Sequence, residues 1–294
     1  MKNLLKLSDL TIKEINHLLD LAQDIKNHKI KNYDKILKEK IVANLFFEAS
    51  TRTHYSFMTA EQRLNCKVMD FAPGSSSMSK GETFYDTVKT FESFGVDAIV
   101  VRHSQNEWYK ALIGKTKLTL INGGDGTADH PTQSLLDLLT IYQQFKRFKG
   151  LKVLIVGDIL HSRVAHSNIL VMRRLGMDVK IAAPDEFKDP QYEYVDFNKY
   201  YPQVDVINLL RVQNERLQDK MKMSVTQYNK LFGMSMERVK KMKLNAIIIH
   251  PAPFNRGVEI DDEVVECSHS RLFQQISNGV YIRMAVLLWA LGNK

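Results

Sequence analysis

The chain has 294 residues, 44% hydrophobic and 25% charged, the balance of a soluble globular protein long enough for two domains that each bury a core. Lys and Arg exceed Asp and Glu by 41 − 33 = 8, but the basic residues are dispersed and form no stripe interleaved with aromatics. The excess reads as a field that gathers small anions, not as a nucleic-acid surface. No apolar run approaches the roughly 18–20 residues of a membrane span. The charged stretch Met1–Asp9 does not read as a secretory leader, and two distant cysteines, Cys66 and Cys267, suit a reduced cytoplasmic setting without structural zinc.

In chain order, apolar runs alternate with amphipathic helical patterns, which predicts an α/β protein. Ser8-Asp9-Leu10-Thr11 caps a helix carrying Ile15, Leu18, Leu19 and Ala22. Ile41–Phe47 is a short buried strand. The polar run after it opens a helix through Ser56–Leu64. Strands follow at Val96–Val101 and Leu118–Asn122, and Pro131 opens a helix expected to reach about Lys149. At Gly150 the pattern restarts: strand Val153–Val156, Gly157, a helix from about Arg163 to Leu175, and strand Val179–Ala182. Val204–Leu209 and Ala246–Ile249 are further strand candidates. Ile276–Leu291 is apolar at helical spacing and is expected to pack back on the first half. The predicted architecture is two doubly wound parallel-sheet domains joined by a long helix, with the C-terminal helix returning to the first domain.

The chemistry gathers where strands end. Phe46-Phe47-Glu48-Ala49-Ser50-Thr51-Arg52-Thr53 runs from a buried strand into hydroxyls, an arginine and a helix start. Helix N-termini expose unpaired N–H groups and partial positive charge, so they receive anions, and a guanidinium matches phosphate. A plain N-cap with a solvated arginine is the competing reading. Ser75–Lys80 is a hydroxyl-rich loop ending in a lysine, which alone reads as polar surface. Arg102-His103 directly follows the second expected strand, which ends at Val101, at the strand end where α/β sheets bind ligands. His130-Pro131-Thr132-Gln133 begins a helix with His130 and Gln133 at i, i+3, able to face one ligand; a lone histidine is more often structural. Gly157-Asp158 lacks the further glycines of a dinucleotide fingerprint. Arg211, in Arg211-Val212-Gln213-Asn214-Glu215-Arg216, again follows a strand, and two prolines fix the path of His250-Pro251-Ala252-Pro253.

Ser50-Thr51-Arg52-Thr53 resembles the carbamoyl-phosphate motif of the carbamoyltransferases, and further motifs of that family fall in order over nearly the whole chain. The resemblance implies donor contacts from Ser50, Thr51, Arg52, Thr53, Arg102, His130 and Gln133, and from the carbonyls of Ala252 and Pro253. Arg52, Thr53, Arg102 and His130 are implied as catalytic, with Thr53, Arg102 and His130 around the carbamoyl oxygen. Ser76 and Lys80 would reach into a neighbouring subunit, giving a homotrimer with shared sites. His-Pro-Thr-Gln serves ornithine as well as aspartate enzymes, so it fixes only the donor. Lys80, Arg163, Arg211 and Gln213 resemble the residues that aspartate carbamoyltransferases use for the acceptor, and ornithine enzymes carry His-Cys-Leu-Pro where this chain has His250-Pro251-Ala252-Pro253. The resemblance implies a carbamoyl-phosphate domain at 1–135 completed by about 277–294, an aspartate domain at 136–276, a place in pyrimidine synthesis, and no cofactor or metal. An acceptor such as ornithine, or a binding module that kept the fold, are the alternatives.

Overall fold

The computed structural model describes residues 2–212 and 223–292. The chain divides into two compact units, Met1–Leu139 with Ser277–Lys294, and Thr140–Ile276.

In the first unit, β1 (Ile41–Phe46), β2 (Lys67–Phe71), β3 (Ala98–His103) and β4 (Thr119–Asp125) form an all-parallel sheet in the order β2-β1-β3-β4. Parallel strands need crossovers that cover both faces, which is why β1, β3 and β4 are buried along nearly their whole length. Ala43, Leu45, Ile99, Val101 and Leu120 pack with Val88, Trp108 and Leu112 in one buried cluster. Each aliphatic side chain so buried contributes about 2 kcal/mol before the entropy of ordering it. α2 (Thr51–Arg63) connects β1 to β2 and α3 (Phe84–Ser93) connects β2 to β3, while α1 (Ile12–Lys26) precedes the sheet and α4 (Pro131–Phe145) follows it. α1 starts in a capping box: the Glu14 N–H donates to Thr11 Oγ1 at 3.2 Å, and the Thr11 N–H donates to Glu14 Oε2 at 2.9 Å.

The second unit repeats the plan. β5 (Lys152–Val156), β6 (Asp178–Ala182), β7 (Val206–Leu209) and β8 (Ile247–Ile249) are parallel in the order β6-β5-β7-β8. Its helices of eight residues or more, among those described, are α5 (Arg163–Arg174), α6 (Val225–Phe232) and the first turns of α7 (Leu272–Leu291). From Ser277 onward α7 belongs to the first unit, where the Lys26 ammonium and the Arg63 guanidinium lie 5.6 and 5.5 Å from the ring of its Tyr281. The predicted fold class therefore holds, including the return of the C-terminal helix.

Local expectations needed correction. α4 stops at Phe145, not near Lys149: Lys146 turns left-handed at φ 56°, a helix stop that glycine usually marks and lysine does not announce. β4 runs on past the expected end at Asn122 through Gly123, Gly124 and Asp125, which are buried. β2 was not expected because Lys67-Val68-Met69-Asp70-Phe71 is a half-polar edge strand. α6 was also missed, although Ser224 and Gln227 form a second capping box.

Candidate active site

Each sheet has one topological switch point, where the strand order reverses. In the first unit it lies between β1 and β3, and in the second between β5 and β7. Ligands of open α/β sheets bind outside the carboxyl ends of the strands at such points. Arg52 follows β1 and Arg102 is the penultimate residue of β3 at the first switch point, and Arg163 and Arg211 follow the strands of the second. Strand order is invisible in the sequence, so this coincidence is new information.

In the first unit, the parallel register sets Phe46 beside Arg102, and the Phe47 N–H donates to the Arg102 carbonyl at 2.8 Å. The chain after β1 is thereby held against the end of β3. Glu48 Oε2 lies 3.4 Å from Arg102 Nε, a partner that sequence reasoning missed. Ser50 is the N-cap of α2, yet its hydroxyl makes no capping bond, and the first turn holds Arg52 and no acid. A cation there opposes the helix dipole by a few tenths of a kcal/mol, a broken local rule of the kind functional sites carry. Thr53 is 6% exposed, and its Oγ1 lies 3.4 Å from Nε2 of His130, itself 4% exposed. Gln133 Nε2 donates to the buried Asp137 carboxylate at 2.8 Å, which fixes the amide and leaves Oε1 as its acceptor.

The turn before His130 hangs on Asp125, the second residue sequence reasoning missed. Its buried carboxylate accepts from the N–H groups of Glu107 (2.7 Å) and Asp129 (3.0 Å) and from Asn122 Nδ2 (2.9 Å). Gly126 turns at φ +42°, where a Cβ would sit 1.7 Å from Asn106 Oδ1. His103 does not join the candidate groups. Its Nδ1 accepts from the Gln105 N–H at 2.9 Å, and burial lowers its pKa.

Ser76 and Lys80 stand apart. Among the described residues the Ser76 hydroxyl bonds only within its own turn, donating to the Pro73 carbonyl at 2.7 Å and accepting from the Met78 N–H at 3.3 Å. Lys80 is exposed at the end of a 3-10 turn, Ser77–Lys80, with no hydrogen bond or ion pair among the described residues.

In the second unit, Arg163 is the first residue of α5, beside the N-cap Ser162, and this helix too opens on a cation without an acid. Gly157, the residue after β5, sits at φ +129°, where a Cβ would come within 3.0 Å of the Leu210 Cβ. Only glycine lets the β5 and β7 exits approach this closely. Arg211, half-buried, follows Leu210. Gln213 lies outside the described residues.

The loop after β8 is held by a buried polar group that the sequence did not reveal. The Ala252 N–H donates to His250 Nδ1 at 2.8 Å, so that nitrogen is the unprotonated one. His250 Nε2 lies 3.3 Å from Glu259 Oε1, inside ion-pair distance but off the line of a hydrogen bond. Glu259 accepts from the Asn255 N–H at 2.5 Å, and Asn255 Nδ2 donates to the Val212 carbonyl at 2.7 Å. The loop bearing Ala252 and Pro253 is thus tied to the segment bearing Arg211. Ala252 sits at φ 53°, a conformation that costs an alanine about 1 kcal/mol or more and that these bonds hold.

Among the described residues no His, Cys, Asp and Glu side chains cluster as metal ligands, and no helix is long and apolar enough to cross a membrane. Burial, with Glu61 and Asp97 nearby, pushes the Cys66 thiol up to about 12, so it is no nucleophile.

Two doubly wound sheets, each with arginines at the switch point where open α/β sheets receive ligands, define a two-unit α/β protein. The aspartate/ornithine carbamoyltransferase pattern matches across the chain: its carbamoyl-P binding domain covers residues 2–143 and its Asp/Orn binding domain residues 149–290. The chain belongs to that family. It is 50% identical over 277 residues to an aspartate carbamoyltransferase catalytic subunit of Limosilactobacillus reuteri, a match covering 92% of this chain and 90% of that one. A Trypanosoma cruzi aspartate transcarbamoylase crystallised with N-(phosphonacetyl)-L-aspartic acid superposes with a TM-score of 0.87 at 27% identity, over 99% of this chain and 95% of that one. Ornithine carbamoyltransferase from Pyrococcus furiosus superposes at 0.88, also at 27% identity, over 100% and 98%.

Proposed function

We propose that the chain transfers the carbamoyl group of carbamoyl phosphate to L-aspartate, giving N-carbamoyl-L-aspartate and phosphate, as the catalytic chain of a cytoplasmic enzyme of pyrimidine synthesis. The observation that carries this is the 50% identity to an aspartate enzyme over 92% of the chain. The fold alone is neutral, since an ornithine enzyme superposes as well as an aspartate one.

The first unit would take the donor. Ser50, Thr51 and Arg52 meet the phosphate at the start of α2, and Thr53, Arg102 and His130 surround the carbamoyl oxygen. The contact between Thr53 Oγ1 and His130 Nε2 supports Nε2 as the ring nitrogen facing the substrate. To donate to the oxygen it must carry hydrogen. With Gln133 Nε2 committed to Asp137, Oε1 is left to accept from the carbamoyl NH2, which the carbonyls of Ala252 and Pro253 also meet. The second unit would take aspartate through Arg163, Arg211 and Gln213, with a guanidinium matching each carboxylate.

The neutral amine attacks the carbamoyl carbon, the carbonyl oxygen gains charge, and the tetrahedral intermediate expels phosphate, which takes up the proton the amine nitrogen releases, with no covalent bond to the protein. Aligning two bound reactants removes much of the entropic barrier, and each oxyanion donor is worth roughly 3–4 kcal/mol. Ser76 and Lys80 would act on a neighbouring copy in a homotrimer. Their isolation from the other candidates within this chain supports that reading.

Product analysis with aspartate and ornithine as competing acceptors tests the function. Carbamoyl-aspartate is expected, and citrulline alone would overturn the reading. Mixing inactive Ser50→Ala and Lys80→Ala chains is expected to restore activity through hybrid sites; none after verified exchange removes the shared site.

A further inference from the structure

Arg283 of α7 is 3% exposed, and a buried cation is normally paired, because an uncompensated one costs several kcal/mol. Among the described residues no carboxylate lies within ion-pair distance of it. Its single hydrogen bond runs from Nη2 to Thr132 Oγ1 at 3.4 Å, its Nε has no partner, and its guanidinium lies 4.9 Å from the centre of the Phe57 ring. Space is made for it: a Cβ on Gly279, one turn earlier in α7, would come within 2.6 Å of Nη1. Glycine inside a helix costs about 1 kcal/mol, and room for this guanidinium accounts for accepting that cost.

The neighbours of Arg283 are those of the donor site. Thr132 stands between His130 and Gln133, and Phe57 is one turn along α2 from Thr53. Burial and the like charge of Arg102 lower its pKa to about 9, so it remains a cation at neutral pH. The fold thus sinks a positive charge behind two helix starts that carry no acid in their first turns, and among the described residues the acid paired there, Glu48, lies against Arg102 and not against this side chain.

We propose that Arg283 is a positioning residue of the donor site, whose buried charge is compensated only when a dianionic phosphoryl group occupies the start of α2 beside Arg102. It would hold the backs of α2 and α4 through Phe57 and Thr132 and add to the potential that draws the anion. Donor occupancy and stability of the first unit are then coupled, and the chain without the anion carries a destabilisation that binding relieves. This rests on the donor-site reading above.

The test uses the full chain with Arg283→Met, close in volume and uncharged, and Arg283→Lys. Phosphate alone is expected to raise the Tm of the wild type and to raise that of Arg283→Met much less. The KM for carbamoyl phosphate is expected to rise on the order of tenfold in Arg283→Met, the effect of one nearby charge at an effective dielectric of about 20, with a smaller change in kcat. Arg283→Lys, which keeps the charge, is expected to recover most of both; a folded Arg283→Lys lacking the phosphate response would overturn the charge account even if Arg283→Met cannot be purified. If the wild type transfers carbamoyl groups and responds to phosphate while Arg283→Met matches it in KM and Tm response, Arg283 is packing alone and only this inference falls. A wild type with neither property would take the donor reading down with it.

Discussion

The two units share one topology but hold their candidate residues by different means. In the first, Arg52, Thr53, Arg102 and His130 stand on strand ends and helix starts, joined directly: Phe47 N–H to the Arg102 carbonyl, and Thr53 beside His130. In the second, Ala252, Pro253 and Arg211 stand on loops, and their places depend on His250, Asn255 and Glu259. A site on regular elements inherits its precision from the sheet, whereas a site on loops needs dedicated side chains to hold it. The first unit should therefore lose chemistry when a contacting residue is removed, and the second should also lose alignment when a supporting one is.

The largest expected effect is in the first unit. Arg52→Ala should lower kcat by roughly 10²–10³-fold or more, the scale of losing a preorganised charge-stabilising donor, with an unchanged circular-dichroism spectrum and oligomer mass. Steady-state assay with both substrates checks it, and near-normal turnover would remove Arg52 from the reaction. Next comes Arg211→Ala, expected to raise the aspartate concentration needed for half-saturation on the order of 100-fold while the response to carbamoyl phosphate stays nearly unchanged. That contrast would assign the two arginines to different substrates; an equal effect on both would erase the division between units.

The supporting network is the sharper probe of the comparison. Asn255→Ala removes the donor to the Val212 carbonyl and frees the loop from the Arg211 segment without touching any proposed contact residue. A drop in kcat/KM of about tenfold is expected from misplaced groups. The same readout for Asp137→Asn, which disturbs the holder of Gln133 in the first unit, is expected to be smaller, because Gln133 also lies on a helix. Equal losses would mean that regular elements confer no advantage.

This division also governs what could be read from the sequence. Ser50–Thr53 and His130–Gln133 are contiguous runs after apolar strands, so periodicity and helix-start physics locate them. The switch points could not be read, because strand order is decided by long-range pairing such as Phe46 with Arg102. Nor could the holders: Glu48, Asp125, Asp137 and Glu259 are ordinary acids in sequence, and they become distinctive only through the burial and the donors the fold brings them. Lys146 shows the same limit for helix ends, since a left-handed lysine leaves no mark in composition.

The smallest expected effect lies beneath the first switch point, in stability. Glu61 of α2 is buried with one oxygen accepting from Asn44 Nδ2 at 2.7 Å and the other without a partner. Burial pushes its pKa up to about 8, against the lowering effect of the Asn44 bond. Its folded pKa lies above the unfolded one, so between about pH 4.5 and 8 the folded chain holds a proton that the unfolded chain has released. Stability from this group is complete below the lower value and is lost as pH rises through the upper one. Glu61→Gln keeps an acceptor for Asn44 and has no proton to lose. From pH 5.5 to 7.5 the wild type should lose about 2 kcal/mol of unfolding free energy relative to this variant, measured by urea denaturation at each pH. Parallel stability curves would show that Glu61 is already ionised in the fold. Because Asn44 lies on β1, four residues before Glu48, a changed pH profile of stability with unchanged kcat would also show that the first unit tolerates a change in its foundations that the loops of the second, by the same comparison, should not.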